Sequence, residues 1–235
     1  MSKLLLLSNS TMPGTPFFTW PKRYVTRFLS EIEGNGLFIP YAAVTFSFDD
    51  YAEIVTKAFA EIGLKMSSIH MLADKQKAVE EAAFIAVGGG NSFALLSRMY
   101  ENKLLEKVRE RVEAGVPYLG WSAGANLACP TIMTTNDMPV VQPPSLKALH
   151  LVPFQINPHY HELKFEGQGG ETRRERLEEF LVLNPEKRVI GLPEGMLLHR
   201  NDIKLTLKGT GVAKLYEAQA PLQELQSEVD LSYLL

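Results

Sequence analysis

Two rhythms of apolar and polar residues alternate along the first half of the chain. Short, mainly apolar runs stand at "KLLLL" (3–7), "GLFIPYA" (36–42), "KMSSIHML" (65–72), "AFIAVGGG" (83–90) and "VPYLGWS" (116–122). Their length and apolar character predict strands buried on both faces. Between them lie longer amphipathic stretches with helical spacing. "FFTWPKRYVTRFLSEIEG" (17–34) predicts a helix that starts in earnest near Pro21, and "FDDYAEIVTKAFAEIG" (48–63) one with Asp49 or Asp50 near its start. "DKQKAVEEA" (74–82) is a short helix, and 91–115 supplies one or two more. This alternation predicts βαβ units, and so an α/β fold with a mostly parallel central sheet and helices on both faces.

The rhythm changes after Cys129. "TTNDMPVVQPPS" (134–145) is polar and rich in proline, as a loop is. "VPFQINPHYHE" (152–162) reads as a strand running into a turn at Pro158, "GETRRERLEEFLVLN" (170–184) as a helix and "KRVIGLPEG" (187–195) as a strand. "MLLHRNDIKLTLKG" (196–209) reads as a hairpin turning at Asn201-Asp202, and "GVAKLYEA" (211–218) as a further strand. No repeat, low-complexity tract or linker divides the chain, so residues 1–235 are expected to form one α/β domain, with 196–235 as a strand-rich extension that covers one edge of the sheet.

Composition narrows the function. The net charge is −3, and the densest charge run mixes both signs at helical spacing. Neither nucleic acid nor an anionic membrane is an expected partner. Four consecutive leucines near the start are too few for a secretory signal, and no segment approaches the roughly 18 apolar residues of a membrane span. The single cysteine, Cys129, has no internal partner for a disulfide and is read as a buried helix-end residue. A reducing, cytoplasmic setting is the expectation, with the oligomeric state left open.

The chemistry concentrates in "YLGWSAGANL" (118–127). Gly120-Trp121-Ser122-Ala123-Gly124 fits G-x-S-x-G, in which a serine sits on a sharp strand-to-helix turn and only small neighbours let the backbone pass. The first N–H groups of the following helix, Ala123 among them, are left free to hold an oxyanion. A glycine cluster ending a neighbouring strand, Gly88 to Gly90, offers Gly89 or Gly90 as a second donor; it lacks the spacing of a phosphate loop. Of five histidines, His70 in an apolar strand and His199 in a hairpin read as structural, and His150 follows an uninformative stretch. His159 and His161 lie where a loop could aim a ring, and the preceding proline favours His159 as general base. No third ligand gives that pair a metal-binding spacing. The acid behind the histidine is either Asp137 or Glu194, both beside prolines; Glu194, leaving an apolar strand end as Ser122 does, is favoured.

Taken together, "LLLLSNSTMPG", "VGGGN", "GWSAGANLACPTIMTTNDMP", "INPHY", "GETRRERL" and "IGLPEG" resemble the peptidase E family, the cytoplasmic α-aspartyl dipeptidases of bacteria. The matches run in order from residue 4 to about 195. The resemblance implies a fold similar to the class I glutamine amidotransferases and a serine hydrolase that cleaves dipeptides after an N-terminal aspartate without a cofactor. Carried over, the nucleophile is Ser122 and the histidine His159. The family's motif aspartate is Asp137 and its other candidate third member Glu194, so both belong to the catalytic set.

An aspartyl side chain needs a cation, and a guanidinium pairs with a carboxylate bidentately. Arg173 and Arg176, three apart on one helical face, are the candidates; Arg174 turns aside. The acid that does not orient His159 is available for the substrate's amino group. The competing readings are a cyanophycinase-like peptidase acting on β-linked aspartyl units and a catalytically silent binding module of the same fold.

Overall fold

The computed structural model describes residues 2–164, 167 and 169–235. Its first half runs β1 (Lys3–Leu7), α1 (Lys22–Phe28), β2 (Asn35–Ile39), α2 (Phe48–Ala60), β3 (Lys65–Ser68), α3 (Lys75–Glu81) and β4 (Ile85–Val87). The chain continues with α4 (Ser92–Glu101), α5 (Leu104–Glu113), β5 (Tyr118–Trp121) and α6 (Ala123–Leu127). Most elements are shorter than the runs that mark them. Strand β2 stops before Pro40, which has no N–H to give to a ladder. The 91–115 run is two helices, separated at Lys103, whose φ of 53° is left-handed. His70 lies in a 3-10 turn after β3 rather than in the strand, its ring nitrogens 2.8 Å from Ser68 Oγ and 2.9 Å from Asp49 Oδ1.

Seven strands form the main sheet in the order β3-β2-β4-β5-β1-β8-β9, where β8 is Met196–Asn201 and β9 is Lys204–Gly209. The first five strands are parallel; β8 runs antiparallel to β1, and β9 to β8. Side chains along a strand alternate between faces, so β1 serves two cores. Leu5 and Leu7 pack with Phe38, Trp121 and the α1 and α2 residues Val25 and Phe59. Leu4 and Leu6 pack with residues of α3 to α6, among them Val79, Leu96, Val108 and Leu127.

The strands read at 152–162, 187–195 and 211–218 belong to a second, four-stranded sheet, which the pattern of the sequence does not separate from the first. The second sheet has the order β11-β10-β7-β6, made of β6 (Gln155–Pro158), β7 (Arg188–Leu192), β10 (Val212–Glu217) and β11 (Gln223–Gln226). Strands β6 and β7 are parallel, with α7 (Arg173–Leu183) between them in the chain. The segment after 195 is therefore shared: β8 and β9 extend the main sheet, while β10 and β11 extend the second. Strand β11, "QELQ", buries only Leu225, too little to announce a strand. One buried cluster runs through both sheets, joining Leu198 and Leu207 to Ile156, Ile190 and Leu215. Among the described residues, no helix is long and apolar enough to cross a membrane.

Cys129 follows α6 and is fully buried; burial pushes its thiol far above the ordinary range. The thiol is expected to stay unmodified by Ellman's reagent in native protein at mildly alkaline pH, and to react stoichiometrically once denaturant unfolds the chain. Rapid reaction of native protein would contradict this burial.

Candidate active site

Register places the ends of three parallel strands side by side. Leu7 pairs with Trp121 and Val87 with Gly120, so Ser8, the Gly88–Gly90 run and Ser122 leave the sheet together. Such carboxyl ends are where open parallel sheets bind ligands. At the turn, Ser122 has φ 54° and ψ −113°, a conformation that costs a residue bearing a Cβ about 1–3 kcal/mol. Its N–H donates to the Leu7 carbonyl (3.0 Å) and its carbonyl accepts from the Asn126 N–H (3.0 Å), which holds the turn. The flanking glycines are a steric requirement. A Cβ on Gly124 would lie 2.2 Å from the Val87 oxygen, and one on Gly120 would lie 2.4 Å from the Gly124 oxygen.

The other half of the site comes from the second sheet. Parallel pairing of Pro158 with Leu192 lets His159 and Glu194 emerge as neighbours. His159 Nε2 lies 2.8 Å from Ser122 Oγ, and His159 Nδ1 lies 2.7 Å from Glu194 Oε1. A carboxylate only accepts, so Glu194 fixes the proton on Nδ1 and turns the Nε2 lone pair to the serine hydroxyl. His159 itself has a left-handed φ of 52°. Its N–H donates to Ser8 Oγ (2.8 Å), and that buried hydroxyl donates to the Leu192 carbonyl (2.8 Å). Beside it, Asn9 Oδ1 accepts the Gly195 N–H (2.9 Å). The polar pair after β1 thus grips the ends of both β6 and β7.

The glycine run is oriented from below. Trp121 Nε1 donates to the Tyr51 hydroxyl (2.9 Å), which donates to the Gly89 carbonyl (3.2 Å). In a trans peptide the Gly90 N–H then points the opposite way. Neither the Gly90 nor the Ala123 N–H has an acceptor among the described residues.

Ser122, Ala123, Gly89, Gly90 and His159 line a cavity of about 510 Å³, and Arg173 and Asp137 line it too. The Arg173 Nε is buried without a hydrogen-bond partner among the described residues. Burial and the neighbouring Arg176 push the Arg173 guanidinium below its ordinary range, against a smaller pull from Asp137. Asp137 does not touch His159: its Oδ2 accepts from the Ser92 N–H (2.7 Å) and the Thr135 hydroxyl (2.9 Å). Arg176 is exposed and lines an adjoining cavity with His161 instead. Burial, and then Arg173, push the His161 imidazole below its usual range, against a smaller upward pull from Glu194. Arg174 is turned away and pairs with Glu178 (2.8 Å). Among the described residues, no three His, Cys, Asp or Glu side chains group as metal ligands would.

The profile of peptidase family S51 matches residues 4–208. The chain belongs to peptidase family S51. Proteins named peptidase E are similar to it over nearly its whole length. That of Nostoc sp. is 44% identical over 236 residues, covering 100% of this chain and 98% of its own. That of Shewanella amazonensis is 43% identical, covering 99% of each, and that of Haemophilus influenzae is 46% identical, covering 85% of this chain and 92% of its own. The fold is shared with two solved structures. A candidate peptidase E protein of Listeria monocytogenes has a TM-score of 0.69 at 24% identity, covering 90% of this chain and 100% of that one. A peptidase from an acI-B1 actinobacterium has a TM-score of 0.73 at 16% identity, covering 98% and 96%.

In this S51 chain, motif reading finds the groups at the cavity but not those that hold them. Tyr51 has no signature of its own, and Ser8 and Asn9 fall in "LLLLSNSTMPG", which marks the family resemblance but assigns them no role. The one available signal is positional: "SNS" is an abrupt polar triplet after a fully apolar strand, at the same end of the sheet as "GGG". Replacing Ser8 by alanine leaves the His159 N–H and the Leu192 carbonyl buried without that partner. Ser8→Ala is expected to destabilise the fold by about 1–3 kcal/mol in urea titration. A loss within error of zero would mean that water replaces the hydroxyl.

Proposed function

We propose that the chain is a serine-type dipeptidase that hydrolyses dipeptides with aspartate at the amino end. The observation that carries the reading is the unbroken line from Ser122 Oγ through the His159 ring to Glu194, with links of 2.8 and 2.7 Å, beside a cavity lined by Arg173, whose buried Nε has no partner among the described residues. Membership of family S51 and the near full-length likeness to proteins named peptidase E support it.

In this reading the Ser122 hydroxyl attacks the peptide carbonyl while His159 Nε2 takes its proton. The Gly90 and Ala123 N–H groups stabilise the oxyanion, with Gly89 presenting the first of them. Glu194 keeps His159 in one tautomer and stabilises the imidazolium. The ring then protonates the departing amine, and water hydrolyses the aspartyl ester by the reverse path. The substrate carboxylate pairs with Arg173, whose position in the cavity favours it over Arg176. Asp137, anchored through Oδ2, offers Oδ1 to the substrate's amino group. The reading needs no cofactor, and a reducing, cytoplasmic setting fits the buried, unpaired Cys129.

The test is a panel of Asp-Leu, Asn-Leu, Glu-Leu and N-blocked Asp-Leu. Asp-Leu alone should be cleaved, and Ser122→Ala should abolish that cleavage. Arg173→Met should raise KM for Asp-Leu by about 10- to 100-fold and shrink its advantage over Asn-Leu. Equal turnover of Asp-Leu and Asn-Leu by the wild type would refute the arginine pocket. Folded protein with no activity on the panel would favour β-linked aspartyl substrates or a silent binding module.

The two acids should separate kinetically. Glu194→Gln is expected to lower kcat by about a thousandfold or more, as loss of a triad acid does. Asp137→Asn should act mainly on KM. The reverse pattern would exchange their roles.

A further inference from the structure

A second cavity, of about 760 Å³, opens on the flank of the main sheet between α1 and strands β1, β8 and β9. None of its lining residues lines the Ser122 cavity. Four cations face it, Lys3, Arg23, Arg27 and Lys208, against two carboxylates, Glu31 and Glu228. Lys208 is taken up by Glu228 at 3.1 Å. Lys3, Arg23 and Arg27 have no carboxylate within ion-pair distance among the described residues. In a chain of net charge −3 this concentration of cations is local, not a by-product of a basic surface.

The floor of the cavity is also unusual. The face of β8 that is apolar at Leu197 becomes polar at His199 and Asn201 beside α1. The His199 imidazole is partly buried, and neither of its nitrogens has a hydrogen-bond partner among the described residues. Burial first, then Lys208 and Arg27, push it below its ordinary range, whereas a nearby anion would favour its charged form. Its ring meets Phe28 edge-on, with centroids 5.7 Å apart and planes at 90°. Tyr24 adds a third ring, with the Arg23 guanidinium 4.6 Å from its centroid.

We propose that this cavity binds a small organic anion combining phosphate with a flat ring, of the nucleoside phosphate class. Lys3, Arg23 and Arg27 would take the phosphate oxygens, and Phe28, His199 and Tyr24 the ring. Guanidinium groups suit phosphate, and the volume lies within the range of small-molecule sites. The assignment does not depend on the dipeptidase reading, because no residue is shared.

Calorimetry with ADP, adenosine and inorganic phosphate as separate probes tests it. ADP is expected to bind, with adenosine and phosphate each at least about tenfold weaker. A Lys3→Gln, Arg27→Gln double variant with an unchanged melting transition should weaken ADP by at least about tenfold. Proton NMR should show the His199 pKa rising when ADP is present. Three results would overturn the proposal: no ADP binding up to about 1 mM, ADP binding unchanged in the double variant, or phosphate binding as tightly as ADP.

Discussion

One buried hydroxyl stands where the two sheets meet. Ser8 Oγ accepts the His159 N–H and donates to the Leu192 carbonyl, so a single atom from the end of β1 fixes the ends of β6 and β7. The arrangement matters because the site has two origins. Ser122 and its glycines belong to the main sheet, whereas His159 and Glu194 belong to the second. Apolar packing between the sheets is strong but not directional, and it tolerates small slips. The Ser122–His159 contact does not tolerate them, since a hydrogen bond weakens steeply with distance and angle. Ser8, with Asn9 on Gly195, converts a greasy contact into a fixed register.

That register also carries the strain of the site. Ser122 and His159 both hold left-handed backbone, neither being glycine. Each conformation is disfavoured in isolation and persists only where its surroundings over-determine it. At Ser122 the surroundings are buried Trp121 and Ala123 and the bond to Leu7. At His159 they are buried Tyr160, whose N–H donates to the Leu192 carbonyl, and the Ser8 hydroxyl. Leu192 O therefore accepts twice, from Ser8 and from Tyr160, and the backbone between the two donors has little freedom to relax.

How much of this the sequence discloses depends on the range of each interaction. The elbow is local: its strand, its glycines and its turn lie within a few residues, so "GWSAG" announces it even though Leu7 and Val87 complete its surroundings. The parallel core of the main sheet is legible for the same reason, since each βα unit announces itself. The second sheet is not, although three of its strands are: β11 buries one residue of four, and β6 and β7 pair across more than thirty residues of chain. The choice between Asp137 and Glu194 has the same cause. Both follow similar local patterns, and only the pairing of Pro158 with Leu192 puts Glu194 beside the histidine ring while Asp137 sits at the start of α4. Helical spacing puts Arg173 and Arg176 on one face, but only the first-turn residue looks into the Ser122 cavity, and that needs the tertiary position of α7.

The separation of the two acids has a chemical consequence within the proposed function. A carboxylate that orients His159 must remain bound to it throughout the reaction, because the imidazolium that forms needs its counter-charge. It cannot also change partner when substrate arrives. The cavity has a second acid whose oxygen is fixed by Ser92 and Thr135, and a guanidinium with one buried nitrogen that has no partner among the described residues. These two charges lie in the same cavity without forming an ion pair within 4.0 Å of each other. An aspartyl residue with a free amino group carries the complementary pair, one negative and one positive charge a few bonds apart. An asparaginyl residue supplies the same shape but leaves the guanidinium without a counter-charge, and a partly buried, unmatched cation is the costlier state. Selectivity in this reading comes less from what the cavity gains with aspartate than from what it is left lacking with anything else.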